Sequence, residues 1–331
     1  MKKQKILLVG GSGYIGTHIY LALIEKGYDP VIFDNFYNSS KKKVKNLEKF
    51  INSDVNCFIG DILSASDIEK VFENNNFSGV IHLAALKSVP DSNKDYINYY
   101  RTNILGLINL IHVMDKYNTK RLIFSSSATV YGENAISPVN ESMQTFSNNT
   151  YGLTKIIGED ILENTCKVDK EWSAISLRYF NPAGSREYDL LREEPKNSSG
   201  NLFPIIENCL IDKDKEFNIF GNDYETPDGT PMRDFIHVDD LANSHVLALM
   251  KLETDTNYYN AINIGSGKPR TVLEIVKKFE EITNKKLNIV FNERRENDIG
   301  SSYADISLAK KELGFEPAHD LDSICRSSIK V

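Results

Sequence analysis

KILLVGGSGYIG, residues 5–16, is the stretch that decides the fold. Lys5 to Val9 is an apolar run of strand length, and from Tyr14 to Lys26 the apolar residues Ile15, Ile19, Ala22 and Leu23 recur at helical spacing. Between them, Gly10, Gly13 and Gly16 allow a tight turn, the approach of backbone to a pyrophosphate, and close packing of the helix. The helix N-terminus then offers N–H donors and a positive dipole end to phosphate oxygens. Pro30 to Phe33 reads as a second strand ending at Asp34, the distance downstream at which a carboxylate meets the adenosine ribose hydroxyls. That carboxylate would repel a 2′-phosphate, so the expected cofactor is NAD rather than NADP. The lysines from Lys41 to Lys45 are the one counter-signal, and they read as a solvated helix start because Asp34 lies closer to the ribose.

Further along, strand and helix signals alternate. Asp54 to Ile59 reads as a third strand ending at Asp61, Gly79 to Leu83 as a fourth, Lys120 to Ser125 as a fifth and Ser173 to Tyr179 as a sixth. Helical stretches run from about Asn93 to Lys116 and from about Thr150 to Cys166. The alternation predicts an α/β fold, a doubly wound parallel sheet of Rossmann type with ligands beyond the carboxyl ends of the strands. Asp34, Asp61, Lys87 and Ser125 to Ser127 all lie at those ends. The Asn/Ser-rich stretches Glu73 to Ser78 and Lys196 to Asn201 read as loops. After Asn181-Pro182 the alternation fails, which predicts a smaller mixed α/β C-terminal domain. The expected division is 1–180 plus about 235–265 for the NAD-binding domain, with Phe235 to Met250 and Ala261 to Gly265 returning to it. The substrate domain takes 181–234 plus about 266–331.

On the 150–166 helix, Tyr151 and Lys155 stand four apart, one turn along the same face, where an ammonium can favour a phenolate. A phenol that ionises near neutral pH beside a dinucleotide reads as the acid/base of a hydride-transfer enzyme. A base useful at pH 7 needs its phenol depressed by roughly three pH units, about 4 kcal/mol. One ammonium at about 4 Å in an effective dielectric near 20 supplies about that much, and less at longer range. The positive nicotinamide of oxidised NAD is expected to supply the remainder. Ser127 fits as the hydroxyl that relays the proton and fixes the geometry.

Composition narrows the class. The chain has 331 residues and a formal net charge of −7, which removes the electrostatic basis for nucleic-acid binding. No apolar run has membrane-spanning length, and the charged start MKKQK passes straight into the first strand without a signal-peptide pattern. Cys57, Cys166, Cys209 and Cys325 are far apart and form no Cys-x-x-Cys, as expected of reduced thiols in the cytoplasm. The histidines His18, His82, His112, His237, His245 and His319 show no ligand spacing with a carboxylate or cysteine, so no metal site is expected.

The segments GGSGYIGTH, FDNFYNS, GDI, IHLAALKSV, FSSSATVYGE, TYGLTKIIGED, LRYFNPAG, NLFPII, IFGNDYETPDGTPMRDFIHVDDLA and RREND, in that order, resemble those of the UDP-glucose 4-epimerases (UDP-galactose 4-epimerases) among the extended short-chain dehydrogenase/reductases. The resemblance spans essentially the whole chain. It implies an isomerase of galactose metabolism that keeps NAD through turnover and interconverts UDP-galactose and UDP-glucose. In that reaction Tyr151 takes the proton of the sugar 4′-hydroxyl as hydride leaves C4′. The 4-keto sugar turns over about its link to the pyrophosphate, and hydride returns to the opposite face.

The resemblance also assigns roles by position. Gly10, Gly13, Tyr14, Ile15 and Gly16 would meet the pyrophosphate, while Asp34, Asn35, Asn38 and Ser39 flank the adenosine and Asp61 and Ile62 contact the adenine. Lys87 would reach the nicotinamide ribose or phosphate, with Leu83, Asn103, Ser125, Tyr151, Lys155 and Tyr179 completing the NAD set. The UDP-sugar set comprises Lys87, Ser127, Tyr151, Asn181, Asn201, Leu202, Asn218, Phe220, Arg233, Arg295, Asp298 and Ser302, and Arg294 reads as a surface charge. Arginine forks suit a diphosphate and a carboxylate suits a uridine ribose. Leu83 stands where a Phe is usual. Ser302 stands where many bacterial members carry a bulky Tyr beside the sugar pocket, which leaves room for a 2′-N-acetyl group and extends the expected substrates to UDP-GlcNAc and UDP-GalNAc. Family members commonly form homodimers through a bundle made by the helices around 93–116 and 150–166.

Three rival readings share parts of this pattern. A 4,6-dehydratase needs an Asp-Glu pair just after the serine, where this chain has Ala128 and Thr129. A UDP-glucuronate 4-epimerase would have to satisfy a substrate carboxylate, and the sequence excludes it less firmly. A dinucleotide-sensing regulator has no reason to keep Ser127, Tyr151 and Lys155 together.

Overall fold

The computed structural model describes residues 3–194, 201–212, 214–295 and 298–329. The loop read at Lys196 to Asn201 therefore lies outside the described residues except for Asn201, as do Glu296 and Asn297 of the RREND segment.

Thirteen strands are labelled in chain order. They are β1 (Lys5–Val9), β2 (Asp29–Asp34), β3 (Cys57–Ile59), β4 (Phe77–His82), β5 (Arg121–Ser127), β6 (Ser173–Tyr179), β7 (Asn181–Ala183), β8 (Glu216–Phe220), β9 (Met232–His237), β10 (Tyr259–Ile264), β11 (Pro269–Thr271), β12 (Asn288–Asn292) and β13 (Ser301–Ser302). Seven form one sheet in the order β10-β6-β5-β4-β1-β2-β3, every neighbouring pair parallel. Successive side chains of a strand point to opposite faces. Ile6 and Leu8 accordingly enter one apolar cluster and Leu7 and Val9 another, so helices must cover both sides. β1 runs into the glycine loop and β5 ends at Ser127, which puts both at the carboxyl edge of the sheet.

The stretch read as one helix from 93 to 116 is divided. Tyr96–Tyr100 is α-helical, Arg101–Leu105 is a π turn, and Gly106–Lys116 is α-helical again. π turns are rare and recur at functional sites. This one carries Asn103, whose Oδ1 accepts from Leu86 N–H at 2.9 Å and whose Nδ2 donates to Leu86 O at 3.1 Å and to Thr154 Oγ1 at 3.0 Å. Asn103 thus fastens the loop after β4 to the helix Thr150–Val168.

Beyond β6 the chain builds a second sheet in which β9 pairs with β7, β11 and β13, and a parallel pair, β8 with β12. Phe203, Phe217, Phe235 and Phe279 form the centre of its own apolar cluster. Val238–Thr254 packs on the Tyr14–Glu25 helix, and β10 takes the edge of the large sheet beside β6. Residues 235–237 finish β9 and pair with β7 in the small sheet.

Candidate active site

The glycine loop is shaped by contact as much as by flexibility. Gly10 has φ +81°, and a Cβ there would stand 2.6 Å from Ala84 N. A Cβ at Gly16 would meet Gly11 O at 2.5 Å. Gly13 precedes the Tyr14–Glu25 helix with no side-chain cap and no acidic residue in the first turn, which leaves the dipole end of that helix to a ligand. Asp34, buried at the end of β2, accepts from Ser12 N–H at 3.1 Å, Phe36 N–H at 2.7 Å and Ser39 Oγ at 3.3 Å. The Ser12 and Ser39 hydroxyls are 2.5 Å apart. Asn35 Nδ2 donates to Asp61 Oδ2 at 3.0 Å, and Ile62 is buried against Gly106, whereas Asn38 is exposed. The Tyr14 hydroxyl donates to Gly184 O at 2.5 Å and so ties this edge to the loop after β7.

Across the carboxyl edge, Leu83 extends β4 by donating its N–H to Val9 O at 2.8 Å. Lys87 is exposed, its Nζ 3.5 Å from Glu193 Oε1, and Asn201 Nδ2 donates to the same carboxylate at 2.8 and 2.9 Å. One acidic side chain therefore joins a residue expected at the nicotinamide to one expected at the uridine diphosphate.

Ser127, Tyr151 and Lys155 converge beyond β5. Ser127 Oγ accepts from Thr129 N–H at 3.3 Å and from Thr129 Oγ1 at 2.9 Å, which leaves its own proton to donate. Lys155, 2 % exposed, donates to Ser125 O at 2.6 Å, with its Nζ 4.9 Å from the Phe124 ring centre and 5.7 Å from that of Tyr151. Burial pushes the Tyr151 phenol up to about 12, with the nearby Ser127 hydroxyl opposing. Burial also pushes the Lys155 ammonium down to about 7, with Glu159 opposing. The depression of the phenol by Lys155 expected from the spacing is therefore not produced by the residues of the chain alone, because desolvation disfavours both charged forms. Tyr179, also in the expected set, is buried with its hydroxyl bonded to His245 Nε2.

In the smaller sheet, Ser302 of β13 pairs in register with Arg233 of β9. Arg233 Nη2 donates to Asp298 Oδ1 at 2.5 Å, and the Arg295 guanidinium lies 4.0 Å from the Phe220 ring centre. Asn181 is exposed on β7, and Leu202 opens the helix Leu202–Ile211 directly after Asn201. Asn218 is exposed on β8 and bonded to Asn292 at 2.7 Å, and no bond joins it to the Arg233 group among the described residues. Arg294, read as a surface charge, stacks on Tyr224 and binds Asp223 at 2.7 Å.

Two features were not foreseen. Asp234, fully buried next to Arg233, accepts from Ser266 N–H, Ser266 Oγ, Gly267 N–H and Ala304 N–H, locking β9 to the segment that carries Ser302. No sequence spacing announces it, since its partners are distant in the chain. The histidines, which show no ligand spacing in sequence, are brought together at His237, His319 and Asp239. All of their nitrogen and carboxylate atoms but His319 Nε2 have bonded partners among the described residues. His237 accepts from Asp239 N–H and pairs with Ser327, His319 Nδ1 pairs with Asp240, and Arg186 holds the Asp239 carboxylate.

A glycine loop on a parallel sheet, an acid at the end of β2, and a Ser, Tyr and Lys beyond β5 define a dinucleotide-dependent enzyme of the short-chain dehydrogenase/reductase type. The chain belongs to the NAD dependent epimerase/dehydratase family, matched over residues 6–265, and within it to the UDP-glucose 4-epimerases. It is 43 % identical to the UDP-glucose 4-epimerase of Dictyostelium discoideum over 99 % of this chain and 95 % of that one. A crystal structure of UDP-glucose 4-epimerase from Bifidobacterium longum in complex with NAD+ and UDP superposes with a TM-score of 0.92 at 39 % identity, covering 98 % of this chain and 97 % of that one. The Stenotrophomonas maltophila enzyme, with bound NAD and formylated UDP-arabinopyranose, gives 0.95 at 36 % identity, covering 98 % and 96 %. NAD is the cofactor, and the uncapped helix end, the open space beside Gly13 and the placement of Asp34 all fit it. No helix among the described residues is long and apolar enough to cross a membrane.

Proposed function

We propose that the chain interconverts UDP-galactose and UDP-glucose through a transient 4-keto sugar, with Tyr151, Ser127 and Lys155 as the catalytic set. The observation that carries this is the approach of Lys155 Nζ to within 5.7 Å of the Tyr151 ring centre while it is anchored on Ser125 O, two residues before Ser127, at the carboxyl edge of the sheet that also carries the glycine loop. Bound NAD supplies a hydride acceptor and donor at C4 of the sugar and a positive ring beside the phenol. Tyr151 takes and returns the proton of the 4-hydroxyl, and Ser127, already accepting twice from Thr129, holds its own O–H toward that oxygen. Lys155, fixed on β5, holds the cofactor ribose and favours the phenolate. Arg233 and Arg295 grip the diphosphate, and Asp298 the uridine ribose. The test is the purified protein incubated with UDP-galactose and no added dinucleotide. UDP-glucose is expected, and unchanged substrate overturns the reading.

The Ser302 side chain carries a second substrate expectation, UDP-GlcNAc and UDP-GalNAc. Ser302 is in register with Arg233, and its hydroxymethyl is far smaller than the tyrosine side chain that many bacterial members of the family carry there. Ser302→Tyr is expected to abolish turnover of the N-acetyl pair while UDP-galactose is still converted. A parent protein inactive on UDP-GlcNAc contradicts this.

The division into an NAD-binding and a UDP-sugar-binding domain is supported by the separate apolar clusters of the two sheets, with Leu191, Ala309, Leu313 and Phe315 of the second part packing into the cluster of the large sheet. Exposed Tyr96, Ile97, Leu105 and Ile108, together with Leu153 on the Thr150–Val168 helix, support a homodimer joined along these helices, and the place of work is the cytoplasm. A sedimentation mass of one 37.5 kDa chain would refute the dimer.

A further inference from the structure

We propose that Glu159, clamped by Arg178 and Ser126, is a positioning residue for this reaction, supplying the negative charge that faces Lys155 and fixing the Ser126-Ser127 strand end against the Thr150–Val168 helix. The proposal deepens the function proposed above and rests on it.

Tyr151, Lys155 and Glu159 follow one another at intervals of four on one helix, so each stands a turn from the next along one face. Glu159 is 5 % exposed and fully engaged. Its Oε1 accepts from Ser126 Oγ at 2.5 Å and from Arg178 Nε at 3.0 Å, and its Oε2 from Arg178 Nη2 at 2.6 Å. Ser126 is the neighbour of Ser127 on β5 and faces the opposite side of the strand, so the carboxylate holds the strand end from behind the reacting hydroxyl. The remaining donor of Arg178, Nη1, reaches the Tyr131 hydroxyl at 2.8 Å, which donates to Asn263 Oδ1 at 2.7 Å. Asn263 Nδ2 donates to Val139 O at 2.9 Å, and Val139 N–H to Tyr303 O at 2.8 Å. A continuous chain of bonds thus joins the helix turn after Lys155 to the residue that follows Ser302.

Buried ion pairs are poor sources of stability, since apolar replacements of similar volume are often neutral or stabilising. A role in the site accounts for the arrangement better. Lys155 donates to a carbonyl and has no carboxylate within ion-pair distance among the described residues. The titratable groups near it are Tyr151 and Glu159 on its own helix and His82 from β4, which burial holds neutral. Around Glu159 stand Arg178 of β6, Tyr131, and Tyr259 of β10, while Asp160 and Glu163 lie further along the helix toward solvent. Glu159 is the carboxylate that opposes the loss of the Lys155 proton.

The experiment is Glu159→Gln, which keeps the shape and removes the charge. Lys155 is titrated by NMR in lysine-labelled protein, its signal assigned by disappearance in Lys155→Met. The deprotonation midpoint is expected to fall by about one pH unit or more. The kcat for UDP-galactose at pH 7 is expected to fall about tenfold with KM within about twofold. A merely structural glutamate would lower Tm and leave the midpoint in place, and that result overturns the proposal. If Glu159→Gln fails to fold, Glu159→Gln/Arg178→Gln, which leaves no unpaired buried charge, is titrated in its place; its midpoint is expected to fall by less, because the Arg178 cation leaves with the carboxylate, and a midpoint at or above the parental one overturns the proposal. The titration does not depend on turnover, so a parent protein inactive on UDP-galactose would overturn the proposed function while the midpoint still decides the role of Glu159.

Discussion

Tyr151→Phe is expected to lower the kcat for UDP-galactose at pH 7 by about 10²- to 10⁴-fold, the range of a positioned general acid/base, while NAD stays bound. The ring that packs in the site is retained, Lys155 keeps its bond to Ser125 O, and the loop from Gly10 to Gly16 is untouched. Only the proton carrier is removed. Ser127 cannot take its place, because a serine hydroxyl has no accessible anion near neutral pH, and its oxygen already accepts from Thr129 at 2.9 Å. The check is kcat at saturating UDP-galactose together with the NAD released on denaturing the purified variant. A loss of less than about tenfold would place the proton on another group.

Gly10→Ala is expected to cost the protein both its cofactor and part of its stability. At φ +81° an alanine pays roughly 1–2 kcal/mol for the left-handed backbone. Its Cβ would also stand 2.6 Å from Ala84 N and 2.7 Å from Ala84 Cα, backbone atoms with no flexible end to swing away, so overpacking adds about 1–3 kcal/mol. Leu83 and Ala84 both donate their N–H groups to Val9 O, at 2.8 and 2.9 Å, and any retreat of that backbone disturbs the β1 end on which the pyrophosphate cradle is built. The expected result is a lower Tm and protein purified without NAD. Gly13→Ala provides the contrast. Its φ is −76° and the nearest foreign atom to its Cβ would be Gly10 O at 3.8 Å. That variant should keep the parental Tm while binding NAD less tightly, since the new methyl stands at the helix end that phosphate approaches. Parental NAD content in Gly10→Ala would contradict the account of this loop.

Much of the frame was legible because it is written locally. Ser173 to Tyr179 is a strand with the bounds its apolar run predicts, and KILLV leads into the glycine loop and helix as its pattern demands. The break in the 93–116 helix was not legible. The apolar periodicity continues through Arg101–Leu105, and the π turn is set by bonds from Asn103 to Leu86 and Thr154, 17 and 51 residues away. For the same reason the pairing of 235–237 with β7 was not legible, since it joins segments far apart in the chain.

In the site, the types and order of the residues were readable, but their electrostatics were not. The four-residue spacing gives the distance between Tyr151 and Lys155 but not the desolvation of both, which raises the phenol and lowers the ammonium. Glu159 could have been found, since it continues the same spacing by one further turn. Arg178 and Ser126, which clamp it, come from strands that only the folded sheet brings together.

The central claim is that the hydrogen at C4 of the sugar leaves and returns within one closed site, with Tyr151 handling only the hydroxyl proton. UDP-galactose carrying deuterium at C4, incubated in ordinary water with the purified protein and no added dinucleotide, tests it most directly. Mass spectrometry and NMR of the product should show UDP-glucose with the deuterium still at C4. Inversion accompanied by loss of the deuterium to water would contradict the account.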